Sequence, residues 1–213
     1  MRHHFSEQLD LVFDELAELC ITVQIAVRQA TEALLAGDGA AAERVISGDL
    51  DVDERRDRIE VRCFRILSLQ QPVAGDLRTV VAALRMGSEV ERSGDLAVHV
   101  AKVARLRMPR TAVPDELIPV VTRMSEIAVD MMGRTASIVA ERDIAGLVEL
   151  RALDDEMDDL RADLLQKIVG PGWTHGVEPA VDLALLSRYY ERIGDHAVSV
   201  AKRVDYVITG ERP

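Results

Sequence analysis

Aromatic residues are scarce in this 213-residue chain, with three Phe, three Tyr and one Trp, and so are cysteines, of which there are two. Cys20 and Cys63 form neither a C-x-x-C pair nor a framework pattern, so no disulfide scaffold or thiolate metal site is expected, and a reducing compartment suits them. A chain of this length buries roughly 70% of the surface it exposes when unfolded, so its core needs no covalent staples. No stretch approaches ~18 uncharged apolar residues, which excludes a membrane-spanning helix, and the first residues lack the apolar run of a signal peptide. A cytoplasmic location follows as an expectation, with any membrane association only through partners. Bases are outnumbered, 26 against 37 acids, and are intermixed with them, whereas sequence-independent nucleic-acid binding needs clustered Lys and Arg. Nucleic acid is therefore not an expected partner.

Gly and Pro are also few and clustered, which leaves long segments whose apolar residues recur every three or four positions, the mark of amphipathic helices. Leu9, Phe13, Leu16, Cys20, Val23, Val27, Ala30 and Leu34 predict a first helix that stops at Gly37-Asp38-Gly39. A second runs from about Ala40 through Ile59, Cys63, Phe64 and Leu67 to Gln70. Pro72 to Gly75 reads as a tight turn and Asp76 as the N-cap of a third helix, with Leu77, Val80, Val81, Leu84, Val98 and Ala101 as its core stripe, ending near Arg107. Pro109 and Pro114 bracket an exposed linker. Beyond it a fourth helix carries Leu117, Val121, Met124, Ala128, Met131 and Ile138, a fifth runs from about Asp143 to Val169, and a sixth follows the turn Gly170–Gly176 to about Ile208. His3 and His4 read as disordered and His175 as a turn residue.

The second half repeats the first. The twelve residues from Glu91 to Lys102 match those from Glu191 to Lys202 at nine positions, displaced by 100. Duplication on this scale, with short loops that make neighbouring helices antiparallel, predicts an all-α protein of six long helices in two tandem three-helix bundles, spanning residues 1–109 and 110–213.

At 100° per residue, Glu91 and Asp95 share an arc with Leu77, Val80, Leu84 and Val98, and the spacing of four stacks the two carboxylates on successive turns. Asp53 and Asp57 share an arc with Phe64 and Leu67, and Asp154 and Asp158 occupy the equivalent place in the second half. In an antiparallel hairpin, facing residues are equidistant from the turn. Asp57 with Glu91 and Asp53 with Asp95 both centre on position 74, and Asp158 with Glu191 and Asp154 with Asp195 both centre between Thr174 and His175. Each bundle is thus expected to gather four carboxylates at one level, an arrangement that is costly unless they are protonated, paired or neutralised by a cation.

All-oxygen donors suit Mg, Mn, Ca or oxo-bridged Fe, with Zn tolerated, and bridging carboxylates allow several ions. The competing reading has Arg56, Arg92, Lys102, Arg161, Arg192 and Lys202 pairing these acids on a metal-free scaffold. Gly94 and Gly194 each cost ~1 kcal/mol against Ala in a helix, which close helix approach or access to the carboxylates would explain. His99, one turn beyond Asp95, and His196, beside Asp195, could touch a site edge, and Asp10 and Asp14 in the first helix repeat the four-residue spacing at the core margin.

The Glu91-Arg92-Ser93-Gly94-Asp95 and Glu191-Arg192-Ile193-Gly194-Asp195 segments, with Leu69-Gln70-Gln71-Pro72-Val73-Ala74-Gly75-Asp76-Leu77-Arg78, resemble the PhoU family over nearly the whole chain. The resemblance implies two three-helix bundles, metal clusters of Fe, Zn, Mn or Mg on the acidic motifs, no catalysis, and a cytoplasmic regulator of phosphate uptake. It implies as partners the ATPase subunit of the phosphate ABC transporter, the phosphate-sensing histidine kinase, and a second copy of the chain in a homodimer. Ser93 departs from the family's isoleucine, and the second turn lacks the Pro-Val-Ala-x-Asp-Leu-Arg run. A carboxylate-bridged di-metal enzyme is a further reading, but no Glu is followed by His three residues on, as such sites require. Walker A, G-x-S-x-G and H-E-x-x-H segments are also missing. No glycine-rich anion nest appears, and a bare acidic cluster repels phosphate, so a direct phosphate site is not expected.

Overall fold

A computed structural model describes the backbone of residues 2–211 and the side chains of residues 6–211. Six long helices follow one another: α1 (Arg2–Ala36), α2 (Gly39–Gln70), α3 (Ala74–Arg107), α4 (Ile118–Glu141), α5 (Leu147–Val169) and α6 (Val177–Thr209), with a single 3-10 turn, Asp115–Leu117, ahead of α4. No strand occurs among the described residues. The stretch read as disordered at His3 and His4 is helical backbone of α1, and the side chains of those two residues lie outside the described ones.

The helix boundaries follow from local chemistry. Gly37 takes φ of 62°, which an L side chain rarely adopts, and the Asp38 carboxylate accepts a hydrogen bond from the Ala41 N–H at 2.9 Å, satisfying an orphan donor at the start of α2. At the start of α3 the expected cap is displaced: Val73 is the N-cap, and Asp76 lies inside the first turn, where its charge complements the helix dipole. Gly210, at φ of 77°, ends α6.

The eight residues of the α1 stripe are all buried. So are Val12 and Leu19, because α1 packs on α2 and α3 on one side and on α4 on the other. Helices α3 and α6 likewise pack on each other, so α1, α3, α4 and α6 form a shared centre flanked by α2 and α5. One continuous apolar core draws on all six helices. Buried polar contacts tie the halves together: Tyr190 and Thr31 hydroxyls lie 2.7 Å apart, Ser125 donates to Thr31 at 2.9 Å, and the Gln24 side chain donates to the Val129 carbonyl at 2.9 Å.

Three sequence expectations are corrected by this packing. Phe64 is 54% exposed and Leu77 and Val81 are also exposed, because they lie outside the seam that α2 and α3 share with the rest of the bundle. The linker is not free chain, since Ala112 and Val113 are buried. Finally α5 starts at Leu147, four residues later than the periodicity placed it, and Leu117 belongs to the 3-10 turn ahead of α4 rather than to that helix.

Candidate acidic helix faces and the seam between repeats

The length of the first hairpin turn sets which acids meet. Helix α2 ends at Gln70 and α3 begins at Ala74, so the hairpin centres near position 72, two residues earlier than expected. That register sets Asp53 opposite Glu91 and Asp49 opposite Asp95. The electrostatics agree. Burial pushes the Glu91 carboxyl above its usual range and Asp95 and Asp53 push it further, while Arg56 and Arg92 oppose. Asp49 is raised by burial and then by Asp95 and Asp53, against Lys102 and His99. Asp49 was not singled out in the sequence, although it sits one turn before Asp53. The Asp57 side chain is 65% exposed and pairs with Arg56 at 2.8 Å.

In the second repeat the acids lie closer to the core. Burial pushes the Asp154 carboxyl up to about 6, with Asp195, Asp158 and Asp155 adding to the rise and Lys202 opposing it. Gly194 makes room for this group: a Cβ there would stand 3.2 Å from Asp154 Oδ1 and 3.2 Å from Met131 Sδ. Gly94 serves packing instead, its would-be Cβ standing 3.1 Å from Val52 Cγ1. Glu191 is buried and its carboxylate is held by Arg188, on the preceding turn of α6. Asp95, Asp158 and Asp195 are exposed. Among the described residues no three His, Cys, Asp or Glu groups stand close enough together to hold a metal ion.

Neither His99 nor His196 forms a hydrogen bond to one of these acids, although His99 is near enough to Asp49 to oppose its rise. His196 is buried with Nδ1 2.7 Å from Glu89 Oε2, and Arg203 Nη2 donates to the other oxygen at 3.2 Å, so this trio joins α3 to α6. Burial pushes Glu89 up, but the hydrogen bonds from His196 and Arg203 outweigh it and leave the carboxyl below its ordinary value. Burial lowers His196, with Glu89 opposing. His99 stacks on Tyr189 of α6 with ring centroids 5.3 Å apart. A second link across the same seam comes from Arg107, which grips the buried Asp182 through two hydrogen bonds of 2.6 and 2.9 Å and also binds Glu178. Asp10 and Asp14 are exposed, and Asp10 pairs with Arg142 at 2.6 Å.

The duplicated helical unit has a counterpart among known families. The PhoU domain model matches residues 16–104 and again residues 121–204. The chain belongs to the PhoU family. A Mycobacterium tuberculosis protein named phosphate-specific transport system accessory protein PhoU homolog 2 is 42% identical over 213 residues, covering all of both chains. The Mycobacterium leprae PhoU homolog 1 is 41% identical over 213 residues, all of this chain and 96% of that one. Among solved structures, PhoU from Pseudomonas aeruginosa superimposes with a TM-score of 0.85 at 25% identity, covering 97% of this chain and 100% of that one. The regulatory protein PhoU of Streptococcus pneumoniae gives a TM-score of 0.87 at 23% identity, over 98% and 99% of the chains, a likeness of fold. The PhoU fold accounts for the seam: the two repeats are halves of one packed body rather than beads on a linker.

Proposed function

We propose that this protein is a non-catalytic accessory regulator of a phosphate-specific ABC transporter. It acts at the cytoplasmic face by docking on the transporter's ATPase subunit, and it keeps the phosphate-sensing histidine kinase quiet when phosphate is plentiful, working as a homodimer. The observation that carries this reading is end-to-end similarity, at 42% identity, to relatives named as phosphate-specific transport system accessory proteins. The relatives bear the names of accessory proteins rather than enzymes. No described helix is long and apolar enough to cross a membrane, so contact with a transporter would come through its partner subunits. In a strain lacking this chain, uptake of labelled phosphate at high external phosphate is expected to rise, and restoring the chain should return it to the parental level. Uptake indifferent to the chain would contradict the proposal.

The acidic faces fit a cation in donor type and in electrostatic demand. Asp154 with Asp195 and Asp158, and Asp49, Asp53, Glu91 and Asp95, are hard oxygen donors whose mutual repulsion a divalent ion would relieve. No three of these carboxylates converge among the described residues, and the exposed Asp95, Asp158 and Asp195 are the side chains that would complete a donor set with Glu91 and Asp154. A bound Fe, Zn, Mn or Mg ion would supply charge neutralisation, making an acidic face able to approach an anionic partner. The second reading is a metal-free scaffold, favoured by the Arg56–Asp57 and Arg188–Glu191 pairs and by the lack of three convergent donors among the described residues. Elemental analysis of protein purified without chelator or nickel separates the two. Near-stoichiometric metal that is lost in Asp154→Asn/Asp195→Asn supports the cation sites, and metal-free protein that melts identically with added divalent ions leaves the scaffold.

A further inference from the structure

A groove of about 620 Å³ lies between the first half of α3 and the last turns of α6, lined chiefly by Leu77, Arg78, Val81, Arg85, Arg203 and Tyr206. Three arginines and no carboxylate line it, in a chain that carries 37 acids against 26 bases. Two of the three, Arg78 and Arg85, have no carboxylate partner among the described residues. Arg78 stands over the Tyr206 ring, its Cζ 5.5 Å from the centroid, and Nη2 donates to the Val207 carbonyl at 3.3 Å, a neutral acceptor near the C-terminal end of α6. Arg203 donates to Glu89 at 3.2 Å, and that carboxylate, which also meets His196, balances the Arg203 charge while holding its guanidinium at the groove. Arg85 is exposed, with no ion pair among the described residues. The Nε atoms of both Arg78 and Arg203 are buried without a hydrogen-bond partner, so part of the donor set of these two guanidiniums is unmet.

Rigid guanidinium forks match the tetrahedral oxygens of a phosphate better than they match a diffuse counterion, and low-dielectric walls of Leu77, Val81 and Tyr206 concentrate the field between them. We infer that this groove binds a phosphoryl group, held by Arg78, Arg85 and Arg203. Two sources present that chemistry: inorganic phosphate, and the phosphate end of a nucleotide whose organic body covers the exposed Leu77 and Val81 and the Tyr206 ring. In either case the ligand touches α3 of the first repeat and α6 of the second, tying the seam from outside. The site is independent of the acidic faces, which repel the same ligand, so it stands or falls separately from metal binding.

Isothermal titration calorimetry on the full chain at constant ionic strength, with inorganic phosphate, ATP and sulfate in separate runs, tests this. Saturable binding of phosphate or of ATP is expected, weakened about tenfold or more in Arg85→Ala, whose exposed side chain has no packing role, with the melting temperature unchanged. Arg203→Lys, which keeps the charge and loses the fork, should weaken it as well. Binding of inorganic phosphate identifies the free anion, and binding of ATP alone identifies the nucleotide. Absence of binding by both, affinity unaffected by Arg85→Ala, or sulfate held as tightly as phosphate would each overturn the inference.

Discussion

Asp154 carries its carboxyl against the backbone of Gly194, with Asp195 and Asp158 as charged neighbours, so ionising it sets burial and like charge against the fold together. Its folded-state pKa of about 6 exceeds the ordinary 3.8, so the native state holds this proton more tightly than the unfolded chain does. The stability it contributes is therefore present at low pH, falls as pH rises through the window from about 3.8 to about 6, and stays low above it. Allowing for solvent screening at a half-exposed group, the loss is roughly 1 kcal/mol. In metal-free protein Asp154→Asn is expected to raise the melting temperature by about 2–4 °C at pH 7.5 and leave it unchanged at pH 4. With a divalent ion present the wild type should gain more than the variant. A variant less stable than wild type at pH 7.5 without metal would show that the carboxylate is held by a partner rather than repelled. The sequence showed the acid but not its surroundings, and the histidines teach the same lesson. Adjacent residues on a helix point about 100° apart, so His196 beside Asp195 faces α3 and Glu89 rather than the acids.

Helix pairs in this molecule approach as closely as their glycines allow. A Cβ at Gly94 would stand 3.1 Å from the branched, buried Val52 of α2, which has no rotamer freedom with which to retreat. Gly94→Ala gains ~1 kcal/mol in helix propensity but overpacks the seam at about 1–3 kcal/mol. The net effect is expected to be a loss of about 1 kcal/mol, read as a lower denaturation midpoint. Val52→Ala in the same chain should recover part of it, so that the double variant is more stable than the sum of the singles. A Gly94→Ala chain more stable than wild type would mean that α2 shifts freely. The α1 stripe was legible because apolar residues cover more than one face of a helix packed on two sides. The outer faces of α2 and α3 were not. The arc through Asp53, Asp57, Phe64 and Leu67 is a real face of α2, but the buried seam runs through Val45, Val52, Ile59, Cys63 and Ile66, more than a quarter-turn around the helix from Phe64. Phe64, Leu77 and Val81 thus fell outside the seam, and Asp49 entered the acidic face that had been drawn around Asp57. Register depended on the true length of a turn, which Pro72 to Gly75 marks only to within a residue or two.

For the molecule as a whole, the twelve-residue match made the duplication readable, while periodicity says only that a face is apolar and never which helix covers it. The shared core and the pairing of α1 with α4 and α3 with α6 therefore emerge only from the structure, as do the Glu89–His196 and Arg107–Asp182 links across the seam. A body knitted together in this way is suited to act as one adapter, with outer helix α2 packed on α1 and α3 and outer helix α5, the more acidic of the two, packed on α4 and α6. The central claim is that this adapter serves a phosphate transporter. It is tested most directly by titrating the purified full chain with the isolated ATPase subunit of the phosphate-specific ABC transporter, measured by sedimentation with Mn or Mg and again with chelator. The account predicts a saturable complex that weakens when the ion is removed. No association under either condition would contradict it.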